Sequence, residues 1–134
     1  MNLRNLFRVS AALFLIFGLI WLVAPKAMPA SMGLNIDSYT AYYLQQLGAI
    51  NVATAVLCFL VSGLDPSRAR QAVVTFLFVE QVLSGIVSLL AVLGGVIPAG
   101  TGWFGVVLNF ALALAFGYFR FVRPEESLTP EYQP

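Results

Sequence analysis

Glu80 is the residue in this sequence whose type and position are best suited to chemistry. It stands inside a long apolar segment, where Gln81 comes directly after it and Ser84 and Ser88 follow at four-residue steps. On a helix this spacing would align both serines with the acid, while Gln81 would be turned by about 100°. A carboxyl group among apolar residues must find a hydrogen-bonding partner or give up its charge. It therefore marks either a contact between helices or a site that binds a ligand or exchanges a proton.

The chain that must position Glu80 is unusually apolar. Of its 134 residues, 60% are hydrophobic and 10% are charged, whereas soluble domains carry about 25% charged residues. A soluble fold this short buries only about two-thirds of the surface that its unfolded chain exposes, so it could not hide so much apolar surface. The excess is expected to face lipid, which predicts an integral membrane protein.

Four segments are long enough to span a bilayer, since about 20 apolar residues cross its hydrocarbon core. They are residues 6–24, 41–62, 72–93 and 102–122. Gly, Asp and Pro residues at their ends are typical helix stops. We predict an all-α fold, an integral membrane four-helix bundle that forms a single domain over residues 1–122. A disordered cytoplasmic tail, rich in Pro and Glu, is expected over residues 123–134.

The basic residues predict the orientation, because Lys and Arg are retained on the cytoplasmic side of a membrane. Of the seven Lys and Arg residues, only Lys26 falls in a loop that would face outward. The other six lie toward the opposite ends of the spans: Arg4, Arg8, Arg68, Arg70, Arg120 and Arg123. This pattern predicts an N-in/C-in protein of the bacterial cytoplasmic (inner) membrane. Alternatively, the first segment is a signal peptide, and its removal would leave three spans in the same orientation.

Small residues at four-residue steps predict where helices approach each other closely. The fourth span carries Gly105, Ala113 and Gly117 in this pattern, and the second carries Gly48. These four residues are the expected helix-packing positions.

Two amides lie on the same stripes of small residues. Counted from the ends of their spans, Asn51 and Asn109 fall in the middle third of the bilayer, at about the depth of Glu80. We therefore expect Glu80, Gln81, Asn51 and Asn109, with Ser84 beside them, to form one buried polar cluster. Hydrogen-bonded contact between helices and a ligand-binding or proton-exchanging site both remain open interpretations of this cluster.

The residue types that are absent exclude several functions. The sequence has no histidine, which excludes histidine-ligated haem, a histidine metal site and histidine general-base catalysis. Its single cysteine, Cys58, cannot form an intramolecular disulfide. No basic patch points to nucleic acid as a partner. No metal site, cofactor or catalytic residue is predicted.

The layout resembles the DoxX-like group of small four-helix bacterial membrane proteins. The likeness covers about residues 4 to 122 and is carried by five features. They are an Arg-led first helix that ends in Pro (Arg8 to Pro25), a Gly-Ala-x-Asn opening in the second (Gly48 to Asn51), a short basic loop (Asp65 to Arg70), a third helix with internal polar residues and an Arg-capped fourth. Some members of that group are associated with membrane redox complexes. The resemblance thus implies an accessory or quinone-proximal role, and it assigns no catalytic residue.

Three functions are compatible with these features. The first is a non-catalytic accessory or structural subunit of a larger membrane complex or a homo-oligomer, as the small size indicates. The second is binding or transport of a lipid, a quinone or another small apolar ligand at the polar cluster around Glu80. The third is a membrane enzyme with Glu80 as acid or base, which is disfavoured because no second catalytic group accompanies it.

Overall fold

Capping side chains set the starts of three of the long helices. The computed structural model describes residues 2–124. The cap residues are Asn2, Asp37 and Ser67, and each accepts a hydrogen bond from the backbone N–H three residues later, at 2.9, 2.7 and 3.2 Å. Such caps satisfy amide groups that have no partner within the helix. The last long helix begins after Pro98, its N-cap residue, which makes no side-chain capping hydrogen bond.

Within residues 2–124 the chain forms five α-helices and one π-helical turn. They are α1 (Leu3–Val23), α2 (Ala27–Ser31), α3 (Ser38–Ser62), α4 (Arg68–Leu93), α5 (Ala99–Gly117) and the π-helical turn Tyr118–Val122. The four long helices begin three or four residues before the predicted spans. A count of apolar residues finds the apolar part of each helix, but it misses the first helical turn, which contains polar residues and precedes the apolar run.

The connections also differ from the sequence-based expectations. The segment between the first two spans was expected to be a loop, but it contains the short helix α2, and Trp21 Nε1 donates to Met28 Sδ at 3.2 Å. Arg68 and Arg70 were expected in a basic loop, and they form the first turn of α4. Of the predicted tail, residues 125–134 lie outside the described part of the chain.

The first compact unit, residues 1–63, is a helical hairpin in which α1 and α3 run antiparallel. The helices cross most closely at two glycines. A Cβ placed on Gly48 would lie 2.6 Å from the Leu22 backbone nitrogen and 2.8 Å from the Gly18 carbonyl oxygen, while one on Gly18 would meet Val52 at 2.9 Å. Only residues without a side chain permit this backbone-to-backbone approach.

The second compact unit, described over residues 64–124, contains the hairpin of α4 and α5. Gly85 lies against the ring of Phe110, and Gly117 lies against the ring of Phe78. These pairs run in opposite directions along the two helices, so α4 and α5 are antiparallel. The π-helical turn extends α5, and the rings of Phe78 and Phe121 meet edge to face with centroids 5.4 Å apart.

All four long helices are long and apolar enough to cross a membrane. Many of their large side chains are exposed, among them Phe59, Leu60, Val87, Leu90 and Leu114. A soluble monomer rarely exposes contiguous apolar surface on this scale. The chain is therefore an all-helical integral membrane protein, as its composition predicts.

Candidate functional site: the polar stripe of α4

Glu80 lies in the middle of α4 and is only half-buried. Its Oε1 accepts a hydrogen bond from Ser84 Oγ at 3.2 Å, and its Oε2 accepts one from Gln81 Nε2. Both donors belong to α4 itself. The carboxyl group thus has a hydrogen-bond donor on each oxygen, and its described bonds make no link to a second helix.

Gln81 is the more deeply buried of the two residues, with 1% of its surface exposed. Its amide nitrogen is engaged by Glu80, but its Oε1 is buried without a hydrogen-bond partner. An unsatisfied buried carbonyl oxygen destabilises a structure by about 1–3 kcal/mol. A hydrogen-bond donor supplied from elsewhere would relieve this cost.

The buried face of α4 is offset by one residue from the stripe that the sequence suggested. The expected stripe was Glu80, Ser84 and Ser88, whereas the buried positions include Leu77, Gln81 and Gly85. Neighbouring residues on a helix are about 100° apart, so burial of Gln81 turns Glu80 toward the edge of the packed face. Gly85 permits this register because the Phe110 ring fills the space where its side chain would lie.

One hydrogen bond connects the polar residues of α4 to α5. Asn109 Nδ2 donates to Ser88 Oγ at 3.3 Å, and both side chains are half-buried. Glu80, Gln81 and Ser84 therefore form one hydrogen-bonded set, and Ser88 with Asn109 forms a second set one turn further along α4.

Asn51 lies in the other compact unit. Its amide nitrogen donates to the Leu47 carbonyl oxygen of its own helix at 2.9 Å, and its side chain is half-buried. The hydroxyl of Thr54, one turn later, bonds the Ile50 carbonyl in the same way at 3.0 Å. The expected approach of Asn51 to Glu80 stays a prediction.

The four packing residues occupy different environments. Gly48 lies at the α1–α3 crossing, and Gly117 lies 3.0 Å from a Phe78 ring atom, measured from an added Cβ. Ala113 is buried. Gly105 has more room, since its nearest neighbour is Ser88 Oγ at 3.9 Å.

Sequence reasoning missed a second polar group, at the arginine-bearing end of α4. Arg70 is 5% exposed, and its Nη1 donates to the Leu64 carbonyl oxygen at 2.8 Å. Both polar atoms of the Gln71 side chain are buried without a hydrogen-bond partner. In the sequence the arginines of this region indicate orientation and a basic loop, and neither interpretation assigns a contact to Gln71, which follows them directly. The signal that could have found this group is a glutamine beside two arginines where an apolar span begins.

The described residues contain no group of three or more His, Cys, Asp and Glu side chains that could hold a metal ion. Comparison of the chain with protein-family models, with curated proteins and with solved structures finds no match.

Proposed function

We propose that this protein is a small, non-catalytic accessory or structural subunit of a larger membrane complex. The proposal rests on the burial and the hydrogen bonds of Glu80. This intramembrane acid is half-buried, and its hydrogen bonds stay within α4. Polar groups within a bilayer normally face a helix partner or a polar cavity. A partner helix with a hydroxyl, amide or basic side chain at this depth would complete the environment of Glu80.

Site-specific photocrosslinking in native membranes tests this role, first with Glu80 in place and then with Glu80 replaced. Val87 is 66% exposed and lies within about 20° of Glu80 around α4, whereas Ile86 is 43% exposed and lies about 120° away. A photoreactive residue at position 87 should yield a discrete product, and one at position 86 should yield much less. Adding Glu80→Gln to the position-87 variant should reduce that yield. Crosslinks to lipid alone at both positions would contradict the proposal, and a product of two copies of this chain would make the complex a homo-oligomer.

The orphaned oxygen of Gln81 supports a second candidate, the binding of a small apolar ligand with a polar head, such as a lipid or a quinone. A buried acceptor next to a carboxyl group favours a ligand that donates hydrogen bonds, such as the hydroxyl of a quinol or of a lipid. The resemblance to DoxX-like proteins would fit a quinone-proximal role. Gln81→Leu should then weaken binding of a short-chain ubiquinol more than binding of the corresponding quinone. Equal binding by the variant and the parent would refute this candidate.

We also propose the N-in/C-in orientation in a bacterial cytoplasmic membrane. It is supported by the distribution of basic residues, since six arginines lie toward one set of span ends and a single lysine, Lys26, lies toward the other. Cys58 is the single cysteine, so Cys58→Ser gives a background for labelling. Asn35→Cys lies at an exposed position between α2 and α3, and Ala69→Cys lies at an exposed position in the first turn of α4. An impermeant maleimide should label position 35 in intact spheroplasts, and position 69 only after permeabilisation. The reverse pattern would contradict the orientation.

A further inference from the structure

The arginine-bearing end of the second hairpin contains three buried polar atoms without hydrogen-bond partners. They are Nε2 and Oε1 of Gln71 and Nε of Arg120. Gln71 lies in the first turn of α4, and Arg120 lies in the π-helical turn. Unpaired polar atoms of this kind are few in native proteins, and each requires a physical explanation.

The register of α4 and α5 brings these two residues to the same end of the hairpin. Residue 85 faces residue 110, and residue 78 faces residue 117. Continuing this antiparallel register places Arg120 opposite about residue 75, which is one helical turn from Gln71. The Thr75 hydroxyl donates a hydrogen bond to the Gln71 backbone carbonyl oxygen at 2.9 Å, and it makes no hydrogen bond to the Gln71 side-chain amide.

The π-helical turn shapes the Arg120 side of this region. Arg123 N donates to the Tyr118 carbonyl oxygen at 2.9 Å, and this five-residue step widens the helix. Such turns occur frequently at functional sites. The Arg120 guanidinium lies 5.6 Å from the Phe121 ring centroid. Phe121 and Val122 are both exposed, so Arg120 has exposed apolar side chains beside it in the same turn.

Arginines outnumber acids among the described charged residues of this end. These residues are one acid, Asp65, and the arginines Arg68, Arg70, Arg120 and Arg123. A ligand that is negative and also has an apolar part would match both the arginines and the exposed Phe121.

We propose that Gln71 and Arg120 bind the headgroup of an anionic phospholipid that carries a free hydroxyl, as phosphatidylglycerol does. A lipid phosphodiester offers only acceptor oxygens, which suit Arg120 Nε and Gln71 Nε2. It cannot satisfy Gln71 Oε1, which needs a donor, and a headgroup hydroxyl supplies one. The acyl chains would lie along the exposed Phe121 and Val122. This apolar border favours a lipid over a soluble phosphate ester.

The test uses the full chain in phosphatidylcholine nanodiscs, titrated with short-chain phosphatidylglycerol or phosphatidylmethanol and read by native mass spectrometry. Both lipids are phosphodiesters with one negative charge, and only phosphatidylglycerol has headgroup hydroxyls. Phosphatidylglycerol should bind more tightly than phosphatidylmethanol, by about five-fold for one hydrogen bond. Arg120→Gln should weaken both lipids by about five-fold. Gln71→Leu should abolish the preference for phosphatidylglycerol, while binding of phosphatidylmethanol persists through Arg120 and is weakened by loss of the Nε2 donor. Arg120→Lys keeps the charge but lacks the planar donor fork, and it should recover only part of the loss.

Arg68→Gln is the matched control, because Arg68 is an exposed arginine at the start of α4, in the same helix turn as Gln71. It should weaken binding much less than Arg120→Gln does. Equal losses in these two variants would reduce the effect to general surface charge and overturn the proposal. Equal binding of phosphatidylglycerol and phosphatidylmethanol by the parent chain, or equal competition by soluble glycerol phosphate, would also overturn it. Circular dichroism of each variant establishes that the helices are retained.

Discussion

The crossing of α1 and α3 should tolerate no side chain at Gly48. In Gly48→Ala the new Cβ would meet three backbone atoms at 2.6 to 3.0 Å, from Leu22, Gly18 and Trp21. A side-chain rotation cannot relieve these contacts, so the two helices must separate. Overpacking typically costs about 1–3 kcal/mol, and the better helix propensity of Ala returns at most about 1 kcal/mol. We expect a net loss of about 2 kcal/mol.

Gly105→Ala is the matched control, because its Cβ would meet only Ser88 Oγ, at the ordinary contact distance of 3.9 Å. It should be neutral or stabilise the protein by up to about 1 kcal/mol. Unfolding in mixed micelles with rising dodecyl sulfate measures both variants. Trp21 fluorescence reports on the first hairpin when Trp103 is replaced by Phe in every chain compared. If Gly48→Ala unfolds at the same detergent fraction as Gly105→Ala, the close crossing does not exist as described.

Three further predictions concern hydrogen bonds. Asn109→Leu should destabilise the second hairpin by about 0.6–1.7 kcal/mol through loss of its bond to Ser88, and Ser88→Ala should add little to it in a double-mutant cycle. Hydrogen bonds from the Thr40 hydroxyl, and then from the Thr40 backbone N–H, hold the pKa of Asp37 below the usual aspartate value. The Asp37 cap therefore stabilises the fold at pH values above that usual pKa and loses its effect as the pH falls through the lowered pKa. Asp37→Asn keeps a capping oxygen and should remove this acid dependence from unfolding midpoints measured between pH 2 and 7. Glu80→Gln should change the free energy of unfolding by less than about 1 kcal/mol, because an amide can still accept a hydrogen bond from a neighbour on α4. A large loss of stability would make Glu80 a structural residue rather than a contact site.

The sequence predicted the parts of the fold that depend on hydrophobic length. The ends of the spans at Ser62, Leu93 and Val122 agree with the structure because Gly or Arg-Pro follows each of them. The starts were three or four residues late, since the polar first turns before the apolar runs were not counted as helix. The short helix α2 has too few residues to show a periodicity.

The polar stripe was predicted only to its helix and its approximate face. The spacing of Glu80 and Ser84 predicts their contact, because residues four apart on a helix are neighbours. Which of Glu80 and Gln81 is buried depends on the rotation of α4 against α5, and the Gly85–Phe110 contact sets that rotation. This contact joins distant segments of the chain, so local sequence patterns do not contain it. Sequence patterns also do not show the π-helical turn, since a single shifted backbone hydrogen bond defines it.

Pairing each long helix with its neighbour in sequence has a consequence for how the protein is made. Helices α1 and α3 both precede residue 64, and their crossing at Gly18 and Gly48 needs no residue from the later half of the chain. A ribosome would therefore deliver a complete first hairpin to the translocon before α4 leaves the exit tunnel. Contacts between neighbouring segments form faster than contacts between distant ones. A nascent chain arrested once α3 has left the ribosome should already hold its two helices together.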